Sequence, residues 1–192
     1  AARKALVVGL ALSTAYIGWS LTAKALVDRQ AERTLVTLGL QDAPRFSVPM
    51  PFNTLLWRVV VMTPEGFLEG ERSLVADSGP MVFREYPSDT QSLGRVGEFP
   101  AVRRLLWFNH GYMKAEVRDR QLVLSDLRMG AEPDYTFRFV VAERDGLGWR
   151  EIPPKQVSWP WETERLLSQL WHRIWEAPPA SEGDGAATQA AR

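Results

Sequence analysis

The chain has no cysteine, so it holds no disulfide framework, no thiolate metal site and no thiol nucleophile. Histidine is nearly missing as well. His110 and His172 stand far apart and lack the HxxxH or HExxH spacing that aims two ligands at one metal. Excess charge of either sign is absent, with 23 Lys and Arg against 23 Asp and Glu. That balance removes the basic footprint of non-specific nucleic-acid binding, so nucleic acid is not an expected partner. No P-loop, GxGxxG or GxSxG string occurs, and no internal repeat is seen. With 192 residues there is room for one ordinary domain with additions.

What is present is unevenly spread. From Ala5 to Ala23 no residue is charged, and the run is bracketed by Arg3 and Lys4 before it and Lys24 after it. At about 1.5 Å per residue it is roughly 28 Å long, close to the hydrocarbon thickness of a bilayer. A transmembrane helix over residues 1–26 is expected, with the lipid bilayer as its partner; a signal peptide or the core helix of a soluble domain would carry a similar string. Ala11, Ala15, Gly18 and Thr22 recur at helical spacing and define a small-residue packing face. That face suits other transmembrane helices of a longer protein or a homodimer partner. Because the chain opens Ala-Ala-Arg-Lys without an initiator Met, earlier spans that have been cut off are the expectation.

Residues 27–51 read as a juxtamembrane helix and a Pro-rich linker. Asp28, Arg29, Glu32 and Arg33 alternate with Ala31, Leu35 and Leu38, the helix is expected to end near Gly39, and Pro44, Pro49 and Pro51 punctuate an extended stretch. Residues 52–176 read as an α+β domain. Strands are expected over Asn53–Met62, Phe67–Ala76, Met81–Tyr86, Met113–Val117, Gln121–Arg128 and Tyr135–Glu143, with one or two helices between Thr90 and His110. In the last strand Tyr135, Phe137, Phe139 and Val141 would share a face, giving one largely antiparallel sheet with one buried side. Glu162–Trp175 carries an apolar helical stripe that can dock on the sheet or on the membrane interface. Residues 177–192 have the composition of a disordered tail. Residues 45–176 are expected to close a core without the span.

No complete catalytic set is visible. Ser125 and Asp126 are neighbours in a strand and point to opposite faces. Glu69 and Glu71 share a strand face, the arrangement that acid–base chemistry requires, although an exposed strand face with nearby arginines shows the same letters. Arg58, Arg84, Arg128 and Arg138 each sit in a strand-like segment; gathered on one face they would bind an anionic ligand or lipid headgroup, and scattered they are ordinary surface arginines. His110 is expected in the last turn of a helix, where the dipole favours a cation. No metal ligand and no cofactor is assigned in this chain.

The strings YIGWSLTAKALV, PMPFNTLLWRVVVMTPEGFLEGERSL, FREYPSD, VRRLLWFNHGYM, LVLSDLRMG and YTFRFVVAER occur in that order between Tyr16 and Arg144. Together they resemble the C-terminal part of the bacterial inner-membrane family of membrane-bound metal-dependent hydrolases. The resemblance implies a bacterial inner-membrane location and a divalent metal in the full-length protein, held by His and Asp residues among N-terminal spans. No position here matches those motifs, so no catalytic residue carries over. The chain would then be the non-catalytic C-terminal domain of such a hydrolase; the alternative is a membrane-tethered interaction or ligand-sensing module without enzymatic activity.

Overall fold

A computed structural model of the chain describes residues 2–157 and 163–178. It begins with α1 (Ala2–Thr37), a single unbroken helix of 36 residues without an internal proline. The helix is long and apolar enough to cross a membrane, and its most apolar stretch is not buried against the rest of the protein. Leu6, Leu10, Leu12, Ile17 and Leu21 are all exposed. Along the second half of α1 the character changes. Ala23, Val27, Ala31 and Leu35, four apart, are fully buried, and the two alanines let the backbone approach its partner closely. Leu40 N donates to the Leu35 carbonyl and Gly39 takes a φ of +70°, which closes the helix in the way a glycine allows.

Beyond α1 come two four-stranded antiparallel sheets. The first contains β1 (Arg45–Pro49), β2 (Leu56–Thr63), β3 (Gly66–Ser73) and β4 (Phe83–Pro87) in sequential order. Then α2 (Thr90–Val96) and α3 (Pro100–Phe108) lead into β5 (Met113–Arg118) and β6 (Gln121–Asp126). A short hairpin, β7 (Gly130–Ala131) and β8 (Asp134–Tyr135), precedes β9 (Arg138–Asp145) and β10 (Gly148–Gln156), and the second sheet runs β10-β9-β6-β5. The last element is α4 (Thr163–Trp175).

The alternation of side chains along β2 organises the core. Trp57, Val59 and Val61 face α1 and form one apolar cluster with its buried stripe, Leu68 and Met81. Val60 faces the other way, where with Phe67, Leu127 and Tyr135 it joins the first sheet to the segment between β6 and β9. A third cluster, from Val96 and Val102 to Leu122, Leu124 and Val141, fixes α2 and α3 on the second sheet.

The α+β class and the leading apolar helix are as the sequence predicts, and several details differ. Two sheets replace the single one. β9 starts at Arg138, Tyr135 belongs to β8, and Phe137 between them is partly exposed, so the alternation across 135–141 is interrupted. Arg138, Val140, Val141 and Ala142 are all buried, giving β9 two covered faces. Residues 45–49 of the linker form β1, an edge strand, where Pro49 leaves no inner ladder bond unmade. β10 escapes the sequence pattern because Pro153 and Pro154 coincide with a register shift between Glu151 and Lys155. Residues 53–55 form a turn in which Asn53 Oδ1 accepts from the N–H groups of Leu55 and Leu56. Residues 45–176 do not close their core alone, because α1 supplies one wall of it. The expected tail lies outside the described residues apart from 177 and 178.

Candidate functional site

Register across the first sheet decides what meets on the face turned away from α1. Arg58 lies opposite Glu71, and Glu69 opposite Arg84, so these four and Tyr86 project from one face. The Arg58 side chain is fully buried there and ion-paired with Glu69. Its Nη1 donates to the Leu127 carbonyl at 2.7 Å, and Nη2 lies 3.4 Å from the Tyr135 hydroxyl. The rings of Phe46 and Tyr135 flank the guanidinium at 6.0 and 5.8 Å. Burial, and next the charge of Glu69, push the Tyr135 hydroxyl above its ordinary range, so it stays protonated and donates to Glu69 Oε2.

Outside this pair the face opens into a cleft of about 290 Å³, lined by Glu69, Glu71, Arg84, Tyr86, Glu132 and Arg173 among others. Glu132 reaches it from the turn between β7 and β8, with one oxygen on Lys114 Nζ at 2.7 Å and the other, Oε2, buried and unpartnered. Arg173 reaches it from α4. Its guanidinium grips Asp77 through Nη1 and Nη2 at 2.8 and 2.6 Å, and its Nε is 3.3 Å from Glu71. The Glu71 carboxyl is raised above its ordinary value chiefly by burial; Arg173 opposes the shift and Glu69 adds to it. Arg84 is exposed at the mouth and makes no hydrogen bond or close ion pair among the described residues.

No family model, curated protein or solved structure matches the chain.

Of the four arginines singled out in the sequence, Arg58 and Arg84 share this face while the other two belong to the second sheet's surroundings. Arg128 folds back on Asp126, with Nε and Nη2 at 3.1 and 2.8 Å, and its guanidinium lies 4.8 Å from the Phe108 ring centre. Arg138 is buried at the start of β9, opposite Ser125. Ser125 and Asp126 are buried, and Asp126 is held by Arg128. His110 lies beyond the end of α3 at a φ of 56°, so it stands in the turn and not in the last helical turn. His172 is exposed on α4, 3.6 Å from Glu176. Ala11, Ala15, Gly18 and Thr22 are exposed on α1, with nothing within 4 Å of the position a Gly18 side chain would take.

Glu132 and Arg173 are the cleft residues that sequence reasoning misses. Each lies at least 59 residues beyond Ser73, the end of β3, and neither carries a local signal. Among the described residues no three His, Cys, Asp or Glu side chains are arranged to hold a metal ion. The cleft carboxylates do not fit that task, because Glu69 is bound to Arg58, Glu71 to Arg173 and Glu132 to Lys114. What the arrangement offers chemically is recognition: the exposed Arg84 guanidinium at the mouth and the half-buried Glu71 carboxyl behind it, whose pKa the Arg84 charge helps to lower.

Proposed function

We propose that this chain is the membrane-anchored, non-catalytic C-terminal domain of a larger bacterial inner-membrane protein of the metal-dependent hydrolase type. In this reading α1 is the last span, its small-residue face meets earlier spans, and the two sheets form the body held at the membrane surface. The observation that carries the reading is the division of α1 into an exposed apolar half and a half that builds the domain core. A cleavable leader is not expected to form a wall of the mature core. The commitment of every cleft carboxylate to a cation supports placing the chemistry elsewhere in the full protein.

The second reading, a membrane-tethered ligand-sensing module, is favoured by Arg84, exposed at the mouth of a formed cleft with no hydrogen bond among the described residues. One experiment separates them. The full-length protein, purified with its upstream region, should contain a stoichiometric divalent metal, and substituting His and Asp residues clustered in the upstream spans should abolish it. A metal-free full-length protein with no such cluster overturns the hydrolase reading and leaves the sensing module.

A further inference from the structure

Three exposed aromatics of the domain, Phe52, Trp171 and Trp175, gather at one end of the first sheet, and α1 fixes the depth of that end. Trp19 stands in the last turns of the uncharged run, and its indole N–H donates to Thr54 Oγ1 at 3.1 Å. The loop 50–55 is therefore tied to the level at which the apolar half of α1 ends. From Val48 to Trp57 this segment carries no charged residue. At its tip Phe52 is 94% exposed, with a φ of 62° that turns the chain outward.

The end of α4 lies at the same level. Ser73 pairs with Leu56, two residues beyond Thr54, and its hydroxyl donates to the Ile174 carbonyl at 2.6 Å. Ile174 is buried, while Leu167, Trp171 and Trp175, four apart on the neighbouring stripe, remain exposed. The two indoles contact one another edge to face at 5.7 Å. Amphipathic aromatic side chains of this kind settle at the headgroup level of bilayers, where the ring is in the apolar phase and the N–H meets water.

We propose that Phe52 and the Trp171–Trp175 stripe of α4 form a second membrane contact, an interfacial platform on which the domain lies against the lipid around α1. This rests on the reading of α1 as a span. The occupant is lipid because of where the faces of α1 point. At about 100° per residue, Ala11, Ala15, Gly18 and Thr22 lie roughly half a turn around the helix from the mean direction of Ala23, Val27, Ala31 and Leu35. Neighbouring spans docked on the small-residue face would stand on the far side of α1 from the first sheet. The bilayer beneath the domain is then left to lipid.

The lack of cysteine makes the test clean. Phe52→Cys, Trp171→Cys and Trp175→Cys, each in the full chain, are spin-labelled and reconstituted in phosphatidylethanolamine–phosphatidylglycerol vesicles. Relaxation by oxygen, which concentrates in the bilayer, is compared with relaxation by a water-soluble nickel chelate. Leu10→Cys reports the span. Glu65→Cys reports the opposite end of β2, about 23 Å away along the strand. The expected result is oxygen-dominated relaxation at 10, 52 and both α4 positions and nickel-dominated relaxation at 65. If 52, 171 and 175 behave like 65 while 10 stays oxygen-dominated, the platform is refuted and the span stands. Shielding of 52 and the α4 positions from both reagents reports a covering protein and also refutes it. Nickel-dominated relaxation at 10 removes the span reading and the platform with it.

Discussion

Arg58→Met is the substitution whose consequence follows most directly from the geometry. The wild-type side chain is 1% exposed and satisfies two buried acceptors, Glu69 and the Leu127 carbonyl. Methionine fills a similar volume but leaves Glu69 as a buried charge without its partner, a loss of about 3–5 kcal/mol in comparable pairs. The orphaned Leu127 carbonyl adds about 1 kcal/mol or more. A total of at least about 4 kcal/mol is expected, a large part of the ~5–15 kcal/mol that holds a domain together. Arg58→Met combined with Glu69→Leu removes both charges, so the double variant should lie within about 2 kcal/mol of wild type, the remainder reflecting Leu127 and Tyr135. Arg58→Lys should fall between, because a single ammonium cannot copy a guanidinium that serves two acceptors and stacks between two rings. Urea titration of the full chain in detergent, followed by tryptophan fluorescence, reads all of these as midpoint shifts at constant slope. A loss below about 1 kcal/mol for the single variant, or a double variant as unstable as the sum of its parts, refutes the account of this pair as an interlocked unit.

Leu35→Ala removes a fully buried side chain from the α1 stripe and should cost about 2–5 kcal/mol in the same titration, whereas Leu12→Ala, on the exposed half, should change it little; equal effects would show that α1 is no part of the core. Glu71 is raised above its ordinary value of 4.5, chiefly by burial, so it binds more protons folded than unfolded, and stability falls as pH rises through its folded pKa. Glu71→Gln should therefore gain on wild type as pH rises above the ordinary value of 4.5, and a difference that is flat with pH contradicts this. Gly66→Ala would place a methyl 2.1 Å from the Tyr86 carbonyl oxygen and 2.9 Å from Ser88 N, so β3 and β4 must part and about 2 kcal/mol or more should be lost; a thermal melt unchanged from wild type would refute the close approach.

The local signals in the sequence are sound where strand-forming residues stand between clear turn signals, even though β2 is buried on both faces. β2 and β3, with dense β-branched and aromatic residues between turn signals, lie within a few residues of the expected strands, and Pro100 stands at the first position of α3. Legibility fails where tertiary contact decides. The apolar face of residues 27–38 is readable as helical, but nothing local reveals that Ala23 to Leu35 will lie against Trp57 and Val59. The strand expected over 135–143 is found as β9, but its start moves to Arg138, because Tyr135 pairs within the short hairpin of β7 and β8. In the cleft, Glu69 and Glu71 on one strand face and the arginines of β2 and β4 can be read from spacing. The partners that turn them into a cleft, Glu132 and Arg173, arrive through topology.

α1 has one further consequence, which is mechanical. Its two halves lie on one axis of about 54 Å with no proline, glycine turn or loop at the crossing point, so the exposed apolar half and the body share a rigid shaft in place of a hinge. A tilt of the apolar half by about 10° sweeps its ~30 Å length through about 5 Å at the far end, and the first sheet must follow through the same angle. A turn of the helix about its own axis is likewise delivered whole to the body through Ala23, Val27, Ala31 and Leu35. Under the proposed membrane reading, any event that reorients the apolar half of α1 thereby re-aims the charged cleft, with no change inside the domain itself.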